Sequence, residues 1–332
     1  MIEVLRAGFL TSVQDLGRHG LRHVGVGTSG AMDPLALSIV NLMVGNPVDA
    51  AGLEATLGNI AIRFGRDVDL AIGGADAEAT LDGRRLPNWW CCRAKAGQVL
   101  RMGAPRRGVR SYVALRGGID VPVVMGSRAT DLKGGFGGHE GRALRTGDSL
   151  PVGEAHPLPG NGRGYGLSTY RLDPHAELRA DVPVIHVLAA AQWEELGRSA
   201  QATFLEATWT VSAQSNRLGC RLEGPAMRPE RHREMLSHGI LPGVVQLPPS
   251  GQPMVQLCDG NTSGGYPVIA RVVRADLHLF AQLRPGTGIR FALCDAVTAG
   301  ELWARRQRMI ETIERQCRFA HGAIHPKHEA VP

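Results

Sequence analysis

Glycine and proline punctuate this chain so densely that long helices have little room. The 332 residues include 43 glycines and 20 prolines. Glycine supplies the positive-φ positions of tight turns, and proline removes a backbone donor from any helix or central strand. The apolar runs between these marks are short. That pattern predicts a mostly β fold with a few helices, built from many short strands joined by turns. Residues 68–72 run into a Gly-Gly pair, and residues 79–81 lead into Asp82-Gly83, a type I′ hairpin signal. Residues 99–102, 112–115 and 121–125 read as further strands, as do 184–188, 208–212, 244–247, 254–257 and 289–293.

The length suits two domains. A Gly- and Pro-rich stretch at 154–165, EAHPLPGNGRGY, places the boundary within about residues 151–182. This gives an N-terminal β-rich domain over 1–160, a second over 175–295, and a C-terminal helix and tail over 296–332. Ala96-Gly97, Thr146-Gly147 and Pro285-Gly286 each place a glycine turn just before a strand-like run, in both halves. Shared punctuation of this kind suggests two related domains.

Charge and cysteine content narrow the function classes. The net charge is +6, almost all of it from arginine, since only Lys95, Lys133 and Lys327 are lysines. Apart from the run at 228–233 no basic block is longer than a doublet such as Arg305-Arg306, and aromatics make up 5% of the chain. A nucleic-acid platform of stacking rings and basic side chains is therefore not expected. The six cysteines lack metal-type spacing and read as reduced thiols of a cytoplasmic chain. The first residues carry Glu3 and no long apolar run, so no signal peptide is expected. No stretch of roughly 18 uncharged apolar residues predicts a membrane span. Of the 12 histidines, His19 and His23 have chelating spacing, but Gly17 and Gly20 argue against the helix that would present them. His321, His325 and His328 fall in a terminal tail, and no metal site is expected.

Three helices are predicted. Asp33 is a good N-cap, Pro34 suits the first helical position, and Gly45 ends the helix. Residues 190–196 followed by Gly197 form a second. The third opens on Thr298-Ala-Gly-Glu301, a capping-box pattern, with an apolar stripe of Leu302, Met309, Ile310, Ile313 and Cys317. Just before the first helix, Gly25-Val-Gly27-Thr-Ser-Gly30 matches the spacing of a dinucleotide fingerprint. The context contradicts that reading. The preceding GRHGLRH is polar and turn-like, and Asp33 puts a carboxylate where a pyrophosphate would sit. No Walker-type loop is present, since Lys95 and Lys133 are followed by Ala and Gly.

The same stretch carries another resemblance. SVQDLGRHG, GVGTSGAMDPLALSIVNLMVGN and LEATLG resemble the start of the biotin-dependent carboxyltransferase family, which includes allophanate hydrolase subunit 2 and KipA-like proteins. The similarity continues through YVALRGGIDVPVVMGSRAT, GRALRTGD, QSNRLGCRLEGP, LSHGILPGVVQLPPSGQPMVQLCDGNTSGGYPVIA and LRPGTGIRF, in order, over roughly residues 2–295. It implies two related cyclophilin-like β-barrel domains. It also implies one component of an ATP-dependent 5-oxoprolinase, sharing ATP with a KipI-like partner protein and working beside a third, LamB/YcsF-type protein. Two alternatives within the family are carboxyl transfer from biotin to a urea-like amide, and a regulatory role in which a KipA-like chain binds a kinase inhibitor.

Candidate site residues follow from chemistry. Arg217 and Arg221 lie four apart beside Asn216 and Glu223, and arginine forks suit carboxylate or phosphate groups. Asn216, Arg217 and Arg221 are the catalytic candidates. An arginine pair with Glu223 that merely holds the loop explains the same residues. Gln246, Gln252, Asp259, Thr262 and Tyr266 fall at strand ends in 246–266, where loops on a rigid barrel place sites. Ser29 and Asp33 face a helix N-terminus, with simple capping as the plain alternative for Asp33. Asp120 and Arg128 complete the candidates, with a satisfied turn as the plain alternative. Cys91 and Cys92, following Trp89-Trp90, read as core. In this enzyme class biotin is carried on a lysine usually flanked by methionines. Lys95, Lys133 and Lys327 have no such neighbours, so no covalent biotin is expected on this chain.

Overall fold

The computed structural model describes residues 1–158, 164–168, 172–228 and 235–322. Part of the 154–165 boundary segment, most of the basic run at 228–233, and Lys327, His325 and His328 lie outside the described residues. The first half builds two six-stranded sheets. One runs in the order Ser149–Leu150, Ile2–Ala7, Ile60–Phe64, Val99–Met102, Thr80–Leu81, Arg84–Arg85. The other runs Tyr165–Gly166, Trp90–Ala94, Val68–Asp76, Arg107–Leu115, Gly52–Thr56, Leu10–Gln14. The expected mostly β class with few helices is what the chain adopts.

The central strands of the second sheet are buried on both faces, which is why they read as unbroken apolar runs. In Val68–Asp76, Leu70 and Ile72 pack into the core between the sheets, whereas Ala71 packs against helix α1 (Pro34–Met43). In Arg107–Leu115, Val113 and Leu115 face the first core, and Tyr112 and Ala114 face the helix. α1 is apolar all round because it lies between this sheet and a long C-terminal helix (Ala296–Ala320), whose Ile313 and Cys317 join the same cluster.

The second half closes a seven-stranded barrel in the order Val184–Ala189, Val268–Val272, Val244–Gln246, Met254–Gln256, Gly219–Glu223, Trp209–Val211, Gly288–Leu293. Its first and last strands pair in parallel, with Ile185 opposite Phe291. Helix α2 (Gly197–Glu206) seals one side, where the Phe204 ring stacks on Phe291 at 4.5 Å and the Phe204 carbonyl accepts a bond from the Trp209 indole at 3.0 Å. The C-terminal helix, Ala296–Ala320, is α3.

The local signals are realised with two corrections. Asp82 and Gly83 both have positive φ, at 46° and 79°, as a type I′ hairpin needs. The three shared turns also form, with Gln98, Asp148 and Thr287 each donating its N–H three residues back and the preceding glycine at φ 85°, 95° and 85°. The helix expected at 190–196 is instead a turn and a short 3-10 segment, Glu194–Leu196. Gly197 begins the α-helix because the apolar pair that reaches the core is Ala200 and Phe204, one turn apart. Likewise α3 starts at Ala296, since the Asp295 carboxylate, rather than a Thr298 hydroxyl, caps it, accepting the Thr298 N–H at 2.8 Å.

Candidate functional site

A buried ionic seam joins the two halves and fixes the geometry beside it. Alternation in Gly52–Thr56 sends Leu53 and Ala55 into the sheet core and leaves Glu54 on the helix side, directly across from Tyr112 on the neighbouring strand. The Tyr112 hydroxyl donates to Glu54 Oε2 at 2.7 Å, and the Met32 N–H donates to the same oxygen at 2.8 Å. The Asp33 N–H in turn donates to the Tyr112 hydroxyl at 2.8 Å. Burial, with the Glu54 and Asp33 charges beside it, pushes the Tyr112 phenol well above its usual range. It therefore stays a donor.

Arg217 enters this network from the barrel. Its Nε and Nη2 grip Asp259 at 2.7 and 2.9 Å, Nη2 also reaches the Gly30 carbonyl at 2.7 Å, and Nη1 bonds Glu54. Burial opposes its charge, but Cys258, Glu54 and Asp259 outweigh burial and hold the guanidinium well above its ordinary value. Four of roughly five guanidinium donors are committed to these groups. Arg217 therefore positions the halves rather than meeting a ligand, and its partners are Glu54 and Asp259 rather than Glu223.

Asp33 caps α1 as its sequence position suggests, accepting the Ala36 N–H at 2.9 Å. Its other oxygen meets His175 Nε2 at 2.6 Å and Gln282 Nε2 at 2.9 Å. Burial acts against its charge, yet His175, His278 and Gln282 together hold the carboxyl down at about 2. Ser29 is buried at φ 52°, with its N–H on the Cys258 carbonyl at 3.1 Å across the seam. The glycine loop serves packing: a Cβ at Gly30 would lie 2.6 Å from the Gly17 nitrogen. The turn Arg22–Val24 precedes that loop, where a nucleotide fingerprint requires a strand.

Beside Arg217 the barrel end opens into a pocket of about 140 Å³, lined by Asn216, Leu218, Arg221, Met254, Gln256 and Asn261 among others. Two of the three catalytic candidates, Asn216 and Arg221, meet here. Asn216 Oδ1 accepts the Leu218 N–H at 2.8 Å, which orients its amide nitrogen as a donor. The Arg221 guanidinium makes no hydrogen bond or ion pair to another described residue. Gln256 Nε2 donates to Gln246 Oε1 at 2.8 Å, tying Gln246 to the pocket wall from behind. The first half reaches over as well. Lys133 Nζ donates to Asn261 Oδ1 at 2.6 Å, and Arg22 Nη2 donates to the Asn261 and Ile240 carbonyls at 2.6 and 2.7 Å. Ser29 Oγ, Gln246 Nε2 and Arg18 Nη1 are buried polar atoms without a hydrogen-bond partner among the described residues.

The other candidates are dispersed. Gln252 closes a turn by exchanging bonds with Gly224, at 2.8 and 2.9 Å. Glu223 is exposed at the end of its strand, and Tyr266 is 44% exposed. Thr262 supplies its carbonyl to the Ile240 N–H at 3.1 Å. Asp120 and Arg128 form an exposed ion pair at 3.0 Å. Glu54, Gln256 and Lys133 do not stand out in the sequence as site residues. Glu54 offers one usable signal, a lone carboxylate inside the apolar strand GLEAT.

Residues 24–293 match the family described as carboxyltransferase domain, subdomain A and B, and the chain belongs to that family. It is 43% identical over 313 residues to an Escherichia coli protein named as the C subunit of 5-oxoprolinase, covering 94% of this chain and 97% of that one. The Haemophilus influenzae protein of the same name is 35% identical over 315 residues, covering 95% and 98%. A solved structure of Kluyveromyces lactis urea amidolyase superimposes with a TM-score of 0.82 at 29% identity, over 94% of this chain and 20% of that much longer one.

Proposed function

We propose that this chain is the amide-recognising C subunit of an ATP-dependent 5-oxoprolinase, working in the cytoplasm with a KipI-like partner protein and a LamB/YcsF-type third component. The observation that carries the reading is the end-to-end similarity, at 43% identity, to a protein of that name. The pocket chemistry suits the substrate. 5-Oxoproline presents a carboxylate, for which the Arg221 guanidinium is the matching fork, and a lactam, for which the Asn216, Gln256 and Asn261 amides offer donors and acceptors. A lactam is a poor electrophile. Transfer of the γ-phosphoryl group of ATP to its oxygen releases ADP and creates a leaving group. Water then adds to that carbon, the C–N bond breaks as the ring nitrogen takes a proton, and the product is the acyl phosphate of the opened chain. A second water hydrolyses it, phosphate departs, and glutamate remains. Donors aimed at the developing negative charge are the expected catalytic contribution of this chain, and Arg217 keeps them in register.

The test is ATP hydrolysis by this chain co-purified with its KipI-like partner, with and without 5-oxoproline. The LamB/YcsF-type component is added last, with glutamate as the readout. Stimulation by 5-oxoproline, with no activity from this chain alone, is the expected result. A tight complex without stimulation would favour the second reading, carboxyl transfer to a urea-like amide, which the likeness to urea amidolyase supports.

A further inference from the structure

A second, larger opening lies along the same seam, on the His175 side of Asp33. It is a cleft of about 550 Å³, lined by Trp89, Arg106, Arg107, His175, Arg179 and Arg284 among others. That volume lies within the roughly 300–1,000 Å³ of small-molecule and cofactor sites. Arg106 and Arg107 come from the first half, and His175, Arg179 and Arg284 from the second. Their charge is only partly compensated. Arg106 pairs with Glu78, and Arg179 Nε bonds Asp173 at 2.5 Å. The Arg284 guanidinium bonds only the carbonyls of Gly108, at 2.9 Å, and Pro105. The Arg107 side chain makes no hydrogen bond or ion pair to another described residue. Asp76 also lines the cleft and offsets part of this charge, so the positive excess that remains lies at Arg107 and Arg284.

His175 adds a directed group. Its Nε2 is fixed on the buried Asp33 carboxylate, and its backbone N–H is fixed on Asp173 at 3.0 Å. Its ring is flanked by Trp89 at 5.9 Å and by His278 at 6.0 Å. With Nε2 committed, Nδ1 is the nitrogen left to a ligand in the cleft. We propose that this cleft is a binding site for a phosphate-bearing anion, gripped by Arg107 and Arg284 from opposite halves and met by His175 at its inner wall. Guanidinium forks match phosphate oxygens two at a time. A ligand held from both sides would also tie the two halves together. The proposal stands on this geometry alone and does not depend on the lactam reading.

Isothermal titration calorimetry on the full chain tests it, with pyrophosphate, ATP and citrate as probes. Pyrophosphate or ATP should bind, with affinity falling as salt rises. R107A should weaken that binding by about 10-fold or more, as expected for a lost charge-assisted contact, with an unchanged thermal midpoint. Tighter binding of ATP than of pyrophosphate would identify a nucleotide, and equal binding would identify the phosphoryl groups alone as the feature recognised. R221A, in the other pocket, should leave this binding intact whether or not 5-oxoproline is the substrate, so the two claims can fail separately. No binding of either phosphate probe, binding unaffected by R107A, or a preference for citrate would overturn the assignment.

Discussion

Arg217 and Arg221 lie four residues apart in the barrel, and the structure treats them as different materials. Arg217 is 5% exposed and surrounded by Glu54, Asp259 and the Gly30 carbonyl. Arg221 is exposed, lines an open pocket and has no side-chain partner among the described residues. A guanidinium removed from water has to be matched by charge and hydrogen bonds, which leaves little for a ligand. One left at a pocket mouth keeps its hydration and its forks until an anion replaces the water. Burial, rather than residue type, separates the arginine that joins the two halves from the one available to chemistry.

The largest expected effect breaks the first half of that contrast. Arg217→Met should destabilise the protein by about 3–5 kcal/mol, because Asp259 would lose its buried guanidinium partner and Glu54 would keep only Arg110, at 3.7 Å, as a charged one. Denaturant unfolding measures this. A loss below about 1 kcal/mol would mean that water enters the seam and that the buried clasp is not what holds the halves together. The seam also predicts a pH dependence. His278 is buried, and burial, opposed by Asp33 and reinforced by Arg306 and His175, lowers its pKa from 6.5 to about 4. Between these values the unfolded chain takes up a proton that the folded chain refuses, so stability rises with pH across that window. Acidifying from about pH 6.5 to 4 should therefore cost about 3 kcal/mol through this group. Asp33, held at about 2, stays ionised throughout that interval. His278→Gln should flatten the dependence, and an unchanged slope would remove His278 as its source.

Arg221→Ala probes the other half of the contrast. With stability unchanged, kcat/KM of the assembled enzyme for 5-oxoproline should fall by about 10- to 100-fold, the value of a charged hydrogen bond of about 1.5–3 kcal/mol. Equal losses with a substrate analogue lacking the carboxylate would move Arg221 from recognition to pocket shape.

Much of the fold is legible because its signals are local. Asp33-Pro34 and Asp82-Gly83 carry their own geometry, and each becomes the cap or hairpin its chemistry requires. The errors are also local, where two adjacent signals compete: Asp295 displaces Thr298 as the cap, and Gly197 opens a helix it was expected to close. The seam is not legible. Glu54 and Arg217 are 163 residues apart, and nothing in either neighbourhood states that they meet. Asn216 and Arg221 can be found because they share one loop and strand, whereas Gln256 and Asn261 join them only through the barrel register that places Cys220 opposite Val255. Sequence spacing exposes what one element presents, and pairing between elements decides what is buried.

The smallest expected effect sharpens the contrast at its outer limit. Asp120 and Arg128 form an ion pair at 3.0 Å, close to the 2.7 Å of Arg217 on Asp259, so distance alone would rank the two pairs together. Their side chains are 53% and 33% exposed, against 3% and 5% for the buried pair. Water screens the exposed attraction, and holding two long side chains in one arrangement costs entropy. Asp120→Ala should accordingly change unfolding free energy by less than about 1 kcal/mol. The Arg128 backbone N–H stays on Asp15 at 2.5 Å and its Nη1 stays on the Val121 carbonyl, so the turn keeps its shape without the carboxylate. A loss approaching that of Arg217→Met would show that partner geometry outweighs burial in this protein, and the distinction drawn between Arg217 and Arg221 would then need another basis.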